Sequence, residues 1–354
     1  MRAAEQVPEL VAATTRHGLV AIGRNEGQRL LRCLASASLD RAPMVYVDSG
    51  STDGSQEAAR AAGAVVVELD PSVPFTAARA RNAGWRELVR LHPGLEFVQF
   101  VDGDCELVAG WTRTAVQFLD ASPSHAVVFG RRRERNRDAS PYNRLCDMEW
   151  DIPPGRVSSC GGDAMMRLRA LAEVGGYEDA LIAGEEPDLC FRLRGRNWDI
   201  QCIAAEMTLH DADMQRFSQW WRRSVRWGHV LAEGVVRRGA SYPSLRAALS
   251  AMTWACELPF LALLVGALVS PAAAVIVLVA WLLGLVAIGH RAYLHVRRRG
   301  AGARDARLFA VSCVLGKFAQ FRGMVGYCLH RILRRQARLI EYKGPSAAAG
   351  GGVS

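Results

Sequence analysis

The chain has 354 residues, of which 50% are apolar and 22% are charged, and its formal net charge is +9. This composition excludes a disordered chain, and the length predicts one or two domains with a hydrophobic core. Nearly all of the 44 basic residues are arginines, and no lysine precedes Lys317. A P-loop lysine and a Schiff-base lysine are therefore excluded from the first nine-tenths of the chain.

The N-terminal part alternates apolar runs with helical segments. Strands are predicted at 18–23, 44–48, 64–69 and 96–102, and helices at 25–38, 55–62 and 75–91. This alternation is typical of a parallel sheet with crossover helices, whose ligands bind beyond the carboxyl ends of the strands. The polar residues that follow the predicted strands are expected to meet in one crevice: Asn25, Asp48, Asp53, Asp102 and Asp104.

Asp102 and Asp104 stand one residue apart after the apolar strand FVQFV. Carboxylate oxygens at that spacing suit Mg²⁺ or Mn²⁺, which bridges the phosphates of a nucleotide. The alternative is a turn in which each aspartate bonds its own backbone. We favour the metal site because the pair follows a strand of the predicted sheet. Asp48 is the better candidate for a nucleobase contact, whereas Thr52 or Asp53 is expected to cap the next helix.

Six segments, in order, resemble the successive motifs of family 2 glycosyltransferases: VAIGRNE (20–26), YVDSGSTDGS (46–55), ARARNAG (78–84), FVDGDC (100–105), GGDAMMR (161–167) and AGEEPDLCFRLR (183–194). The resemblance implies an α/β fold of the GT-A type, a nucleotide-diphosphate sugar as donor, a divalent metal (Mn²⁺ or Mg²⁺) and inversion at the anomeric carbon. It implies a nucleotide-binding role for Asn25, Glu26, Asp48, Asp53 and Arg81, with Asp102 and Asp104 holding the metal and the diphosphate.

The resemblance places the catalytic base in the last of these segments. Inversion needs a carboxylate that takes the proton of the acceptor hydroxyl while the oxygen attacks the sugar carbon. Glu186 aligns with the usual catalytic aspartate of the family, and Glu185 and Asp188 remain alternatives. Acidic residues also stabilise a helix start, and Pro187 suits a first turn, so capping and catalysis are compatible here.

His210 follows the predicted strand 205–209. The resemblance implies that it completes the metal site or touches the diphosphate, and the alternative is a structural role. In the segment 216–229, Arg223 stands where processive family members carry the tryptophan of their Gln-x-x-Arg-Trp motif, which argues against a polysaccharide synthase. Contacts with the leaving diphosphate are predicted for Arg222, Arg223 and Arg226.

Acceptor contacts are predicted for Trp150, Asp151, Gly162, Asp163, Gln219 and Trp220. The alternative for the tryptophans of the segment 216–229 is an amphipathic helix at a membrane surface. The arginine-rich run 130–138 is predicted to be a mobile loop that meets an anionic acceptor.

The apolar stretch 247–290 contains one acid, Glu257, and no lysine or arginine. It suits two membrane spans with a turn near Ser270, and this reading is favoured over a buried hairpin of a soluble core. Basic residues on both flanks place both ends in the cytoplasm. The segment 308–329 is interrupted by Lys317 and Arg322 and is predicted to be an interfacial helix rather than a third span.

The predicted organisation is an extension (1–17), a GT-A domain (18–235, with a nucleotide-binding half 18–105 and an acceptor and catalytic half 106–235), a transmembrane hairpin (247–290), a basic interfacial or third membrane helix (291–343) and a disordered tail (344–354). The chain is expected to transfer a single sugar to a lipid-linked or envelope polysaccharide acceptor at the cytoplasmic face of the plasma membrane. A nucleotidyltransferase acting on sugar phosphates and a non-catalytic membrane scaffold are the alternatives. Nucleic acid is not expected as a partner, because the basic excess lies beside the apolar hairpin.

Overall fold

The computed structural model describes residues 15–239 and 242–334, so the predicted tail 344–354 and most of the extension 1–17 lie outside the described residues. The strands are β1 (His17–Gly23), β2 (Met44–Asp48), β3 (Val65–Glu68), β4 (Phe97–Asp102), β5 (Cys105–Leu107), β6 (His125–Glu134), β7 (Gly155–Arg156), β8 (Ala164–Arg167) and β9 (Asp199–His210). The helices are α1 (Gln28–Ser38), α2 (Ser55–Ala61), α3 (Ala77–Leu91), α4 (Trp111–Ala121), α5 (Pro141–Glu149), α6 (Leu168–Glu173), α7 (Glu185–Arg194), α8 (Phe217–Arg238), α9 (Leu245–Met252), α10 (Leu258–Leu268), α11 (Pro271–Arg298) and α12 (Ala303–Ile332).

The strands form one mixed sheet in the order β3-β2-β1-β4-β8-β6-β9-β5, with β7 also paired to β9. Strands β1 to β4 are parallel, as predicted, whereas β8 runs antiparallel between β4 and β6. In register, Gly23 lies beside Asp48 and Ile22 lies beside Asp102. The carboxyl ends of β1, β2 and β4 therefore meet at one edge of the sheet, where the polar loops follow.

The arginine-rich run 130–138 was wrongly predicted to be a mobile loop, since its first half is the end of β6. Successive side chains of a strand point to opposite faces. Arg132 points inward and is 14% exposed, while Arg133 points outward and pairs with Glu206 at 2.6 Å. These arginines are accommodated in a strand because each one pairs with a carboxylate of a neighbouring element.

The C-terminal part is helical. Helices α9 and α10 are joined by a π-helical turn (Thr253–Glu257), and α11 begins after the predicted turn at Ser270, whose Oγ accepts a hydrogen bond from the backbone N–H of Ala273 at 3.2 Å. Within residues 15–239 and 242–334, three helices are long and apolar enough to cross a membrane, judged by length and composition: 245–268, 271–298 and 303–332. The third helix, 303–332, contains the segment 308–329, and the position of that segment at the membrane surface stays a prediction.

Helix α12 packs against α8 with almost no side chains between the two backbones. A Cβ atom on Gly228 would lie 2.0 Å from the carbonyl oxygen of Gln320, and one on Gly323 would lie 2.0 Å from that of Val225. Only glycine allows such an approach. The ring of Tyr327 packs edge-on against His229 beside this crossing. Helix α12 is thus firmly joined to the helix that follows the sheet.

Candidate active site

The loops after β1 and β2 are connected by hydrogen bonds from two side chains that were predicted to bind the nucleotide, Asn25 and Asp53. Asn25 adopts a left-handed backbone conformation (φ 54°), and its Oδ1 accepts a hydrogen bond from the backbone N–H of Thr52 at 2.8 Å. Asp53 accepts one from Gly27 at 2.9 Å and one from the backbone N–H of Ser55 at 3.1 Å. Asn25 and Asp53 therefore shape one rim of the crevice.

Asp48 is buried at the end of β2. It accepts hydrogen bonds from the Tyr46 hydroxyl (3.1 Å), the backbone N–H groups of Gly50 (3.0 Å) and Ser51 (2.8 Å), and Nε2 of Gln56 (3.0 Å). Burial acts to raise the pKa of Asp48, but the hydrogen bonds from Gln56 and Ser51 outweigh it, so the pKa is lowered. Asp48 is an ionised carboxylate that orders the β2 loop.

Arg81 on α3 lies at the centre of an acidic cluster. Its Nη2 donates to Asp102 Oδ1 at 2.8 Å, and its Nη1 donates to Glu185 Oε1 at 2.8 Å and lies 3.3 Å from Glu186 Oε1. Arg81 is 2% exposed. Burial disfavours its charge, but the surrounding carboxylates raise the pKa of Arg81 well above its ordinary value. One buried guanidinium thus joins the end of β4 to the start of α7.

Asp163 forms the floor of the site below Asp102. Its Oδ1 accepts a hydrogen bond from the backbone N–H of Asp102 at 2.9 Å, and its Oδ2 accepts one from the Thr208 hydroxyl at 2.8 Å. The same oxygen pairs with Arg132 Nη2 at 2.8 Å. Asp163 was predicted to bind the acceptor, but it is buried and its oxygens have partners within the protein. It therefore supports Asp102.

Asp104 and His210 face each other on the other side of the same loop. Their Oδ2 and Nε2 atoms are 3.4 Å apart, and Nδ1 of His210 lies 3.4 Å from Oε2 of Glu134. Ligand atoms of Asp104, Cys105 and His210 all lie within 4.8 Å of one another. Burial raises the pKa of the Cys105 thiol, which disfavours the thiolate. The Asp104 carboxylate suits Mn²⁺ or Mg²⁺. His210 adds a nitrogen ligand of the kind that transition metals accept, so these residues fit the metal that the resemblance implied, and fit Mn²⁺ better than Mg²⁺.

Asp102 belongs to a second group, with Cys105 and Asp163. The two aspartates of the D-x-D motif therefore have different surroundings. Asp102 is held by Arg81, whereas Asp104 pairs with His210.

The three candidate bases differ in what holds them. Asp188 is bound by Arg192 at 2.9 Å and by Arg238 at 2.6 Å, so it joins α7 to the end of α8. Glu185 is buried against Arg81. Glu186 is 16% exposed, and burial together with the charge of Glu185 raises the pKa of Glu186 to about 7.

Residues 20–174 match the family model for glycosyl transferase family 2. This segment belongs to glycosyltransferase family 2. The match covers the loops after β1 and β2, the D-x-D motif and Asp163, and the mixed sheet has the GT-A architecture that the resemblance implied. We refer to this segment as the family 2 domain. Helix α7 and strand β9, which carry Glu186 and His210, lie beyond the matched segment, and β9 pairs with β5 and β6 of the same sheet.

Similar proteins include a TPR repeat-containing protein of Synechococcus elongatus, which is 31% identical over 137 residues, covering 38% of this chain and 32% of that protein. The chain thus matches about a third of the length of this curated relative. Among solved structures, a mannosyltransferase of Pyrobaculum calidifontis in complex with GDP-mannose and Mn²⁺ is 18% identical and covers 90% of this chain and 86% of its own, with a TM-score of 0.47. Glucosyl-3-phosphoglycerate synthase of Mycobacterium tuberculosis, in complex with Mg²⁺ and UDP, is 19% identical. The similarity covers 64% of this chain and 80% of that one, with a TM-score of 0.47.

Two residues predicted to contact the acceptor, Gln219 and Trp220, lie at the start of α8 and have partners within the protein. Gln219 Oε1 accepts hydrogen bonds from the backbone N–H groups of Gln215 at 2.8 Å and Arg216 at 2.9 Å, so the side chain closes the helix N-terminus. Trp220 is 3% exposed and packs against Phe217. Both residues build the helix start, because its unpaired N–H groups and its apolar face need partners.

The three arginines predicted to bind the diphosphate have separate surroundings. Arg223 pairs with Glu149 at 2.5 Å, and Arg226 Nη2 donates to the carbonyl oxygen of Ile182 at 3.3 Å, while Arg222 is exposed. Arg226 thereby holds the loop that leads to Glu185. Their role toward a diphosphate stays a prediction.

Other predicted residues lie at the edge of the site. Trp150 packs edge-on against His210, with ring centroids 4.5 Å apart, and Asp151 pairs with Arg131 at 3.1 Å and Arg299 at 2.7 Å. Glu26 pairs at 2.9 Å with Arg29 in the first turn of α1. These positions leave acceptor contact by Trp150 and Asp151 as a prediction.

Sequence reasoning missed Arg132 and Glu134 as individual site residues. Arg132 was visible only as part of an arginine run, although the apolar residues AVVF before it continue as a strand with alternating faces. Glu134 carried no local signal, because its importance depends on His210, which lies 76 residues away.

Proposed function

We propose that the chain is an inverting, metal-dependent glycosyltransferase that moves one sugar from a nucleotide-diphosphate donor to a lipid-linked or envelope-glycan acceptor at the cytoplasmic face of a membrane. The observation that carries this proposal is the position of Glu186 beside Arg81, which also binds Asp102 of the D-x-D loop. A candidate base and a candidate diphosphate site thus adjoin one buried cation.

Glu186 has the properties of a general base in this site. In an inverting transfer it accepts the proton of the acceptor hydroxyl as the oxygen attacks the anomeric carbon, and the diphosphate leaves from the opposite face. A carboxylate whose pKa is raised to about 7 is a stronger base than an ordinary glutamate and is still partly ionised at neutral pH. Glu185 and Arg81 fix the electrostatic surroundings in which this proton is taken.

The other half of the site receives the diphosphate. Asp104 and His210 would hold a divalent metal, and the bound ion would supply positive charge to neutralise the leaving group. Asp102 is kept in place from two sides, by Arg81 and by the backbone hydrogen bond to Asp163. Because Arg81 is buried and the Arg132 side chain is only 14% exposed, their charges act strongly on this crevice.

The packing of α12 supports its interfacial placement. Its first turn is bound by the family 2 domain through Asp305, and its middle crosses α8 at Gly323. A helix that is held by a polar domain at its first turn and is interrupted by Lys317 and Arg322 fits the membrane surface better than the bilayer interior. The hairpin formed by 245–268 and 271–298 is then the membrane anchor, with its basic ends on the cytoplasmic side.

Release of nucleoside diphosphate by the full chain, in detergent or native membranes, tests this function. The assay uses UDP-, GDP- and dTDP-sugars as donors and a membrane lipid extract as the source of acceptors. Each donor is tested with Mn²⁺, with Mg²⁺ and with a chelator. We expect release from one donor, dependent on metal, and a product carrying a single added sugar. Formation of a nucleotide-sugar from a nucleoside triphosphate and a sugar phosphate would favour a nucleotidyltransferase instead. If the chain neither released nucleoside diphosphate nor bound any donor with metal present, a non-catalytic membrane scaffold would be favoured.

Gly162→Ala is expected to lower the transfer rate by about tenfold or more. A Cβ atom there would lie 2.4 Å from Arg81 Nη2 and 2.7 Å from Asp102 Oδ2, so the ion pair between them must shift. Displacements of about 1 Å in an active site cost up to about 10²-fold in rate. The matched control is Gly161→Ala, whose nearest atom would be Arg132 Nη2 at 3.9 Å. Equal rates for the two variants, measured at saturating donor, would contradict the importance of this contact.

A further inference from the structure

Asp305, in the first turn of α12, is buried against the family 2 domain. It is 8% exposed, and its carboxylate pairs with Arg137 and with Arg144, the latter at 3.1 Å. Arg137 lies in the short helical turn after β6, and Arg144 lies on α5. The start of the last apolar helix is therefore attached to the segment that leads away from the site.

The contacts of Arg137 continue toward the candidate metal site. Its Nε donates to Asp147 Oδ2 at 3.1 Å, and the other oxygen of Asp147 accepts a hydrogen bond from the backbone N–H of Glu134 at 3.0 Å. The side chain of Glu134 has no exposed surface and faces Nδ1 of His210 at 3.4 Å. Nε2 of His210 in turn faces Asp104. An unbroken series of polar contacts thus joins α12 to this site.

The geometry points to Asp305 as a positioning residue for the candidate metal site. By holding Arg137, and through it Asp147, it fixes the end of β6 so that Glu134 orients the imidazole of His210. Histidine ligands depend on such partners at the second ring nitrogen, and losing one costs about 10- to 100-fold in metal affinity. The inference rests on the proposed function, because the metal site is part of it. Docking of α12 and metal affinity are thereby coupled.

The chain offers a matched control for Asp305. Asp138 pairs with the same two arginines, with Arg144 at 2.8 Å and Arg137 at 3.4 Å, but it is 74% exposed. An exposed pair contributes little to fixing its partners. Asp138→Asn therefore removes an identical charge from the same arginines and leaves α12 attached.

Binding of Mn²⁺ alone to the full chain in detergent, by calorimetry or electron paramagnetic resonance, tests the inference. We expect Asp305→Asn to weaken binding by about threefold to tenfold, less than the loss of about 10- to 100-fold expected for Glu134→Gln. Asp138→Asn is expected to bind like the wild type. The double variant of Glu134 and Asp305 is expected to bind no more weakly than Glu134→Gln alone, because both act through His210.

Three results would overturn the inference. The first is equal Mn²⁺ affinity in Asp305→Asn and Asp138→Asn, and the second is additive losses in the double variant. The third, no Mn²⁺ binding by the wild type, would remove the metal from the proposed function as well, so the two failures are distinguishable. Thermal unfolding shows whether Asp305→Asn is folded. If it is not, Asp147→Asn breaks the series nearer to His210 while Arg144 still holds α12, and unchanged affinity there also overturns the inference.

Discussion

Glu186→Gln is expected to lower the rate of sugar transfer by about 10²- to 10⁴-fold, because an amide does not take the proton of the acceptor hydroxyl. The two side chains have nearly the same shape, so affinity for the donor nucleotide is expected to stay close to that of the wild type. Turnover at saturating donor and acceptor, together with nucleotide binding by calorimetry, separates these effects.

The pH profile gives a second measure of the same residue. Since burial and the charge of Glu185 raise the pKa of Glu186 to about 7, its active carboxylate form is present above that pH and is lost as the pH falls through it. Transfer by the wild type is expected to rise between about pH 6 and 8, and the residual rate of Glu186→Gln is expected to lack this rise.

Variants of the other two acids serve as controls. Asp188→Asn breaks the pairs with Arg192 and Arg238, so we expect lower thermal stability with the pH profile retained. Glu185→Gln removes a partner of Arg81 and is expected to keep the pH-dependent rise, shifted to lower pH, because one neighbouring negative charge is gone. If Glu185→Gln instead abolished transfer while Glu186→Gln retained it, Glu185 would be the base.

Asp104→Asn is expected to lower Mn²⁺ affinity and to reduce transfer by about 10²-fold or more, since a catalytic metal supplies several kcal/mol and about 1.4 kcal/mol corresponds to tenfold. Chelator added to the wild type is expected to cause a loss of similar size. Nucleoside-diphosphate release measured across a Mn²⁺ titration gives both quantities.

Asp211→Asn is the control for this second prediction. Asp211 directly follows His210 but pairs with Arg32 at 3.0 Å, outside the candidate metal site. The Asp211→Asn variant removes the same charge from a position next to His210 and is expected to retain Mn²⁺ affinity. An Asp104→Asn variant that was activated by Mn²⁺ like the wild type would contradict the assignment of Asp104 as a ligand.

Local sequence was sufficient for the elements that carry the site. The helix predicted at 75–91 is Ala77–Leu91, and the strand predicted at 96–102 is Phe97–Asp102. Apolar periodicity and turn residues act over a few neighbours, so they can be read without tertiary contacts. The position of Asp102 and Asp104 after a strand of the sheet followed from this, as did the apolar hairpin and its turn at Ser270.

Only the tertiary structure decided how these residues are used. Gln219 and Trp220 had the right types for acceptor contacts, yet they close and bury the start of α8. Glu134 reaches His210 across 76 residues, and Asp305 reaches Arg137 across 168. An ion pair depends on where the fold places both partners, and no local pattern encodes that distance. The sequence by itself therefore determined the family, the strands and the acidic motifs, while the packing of α7, β9 and α12 against the sheet decided which charges meet.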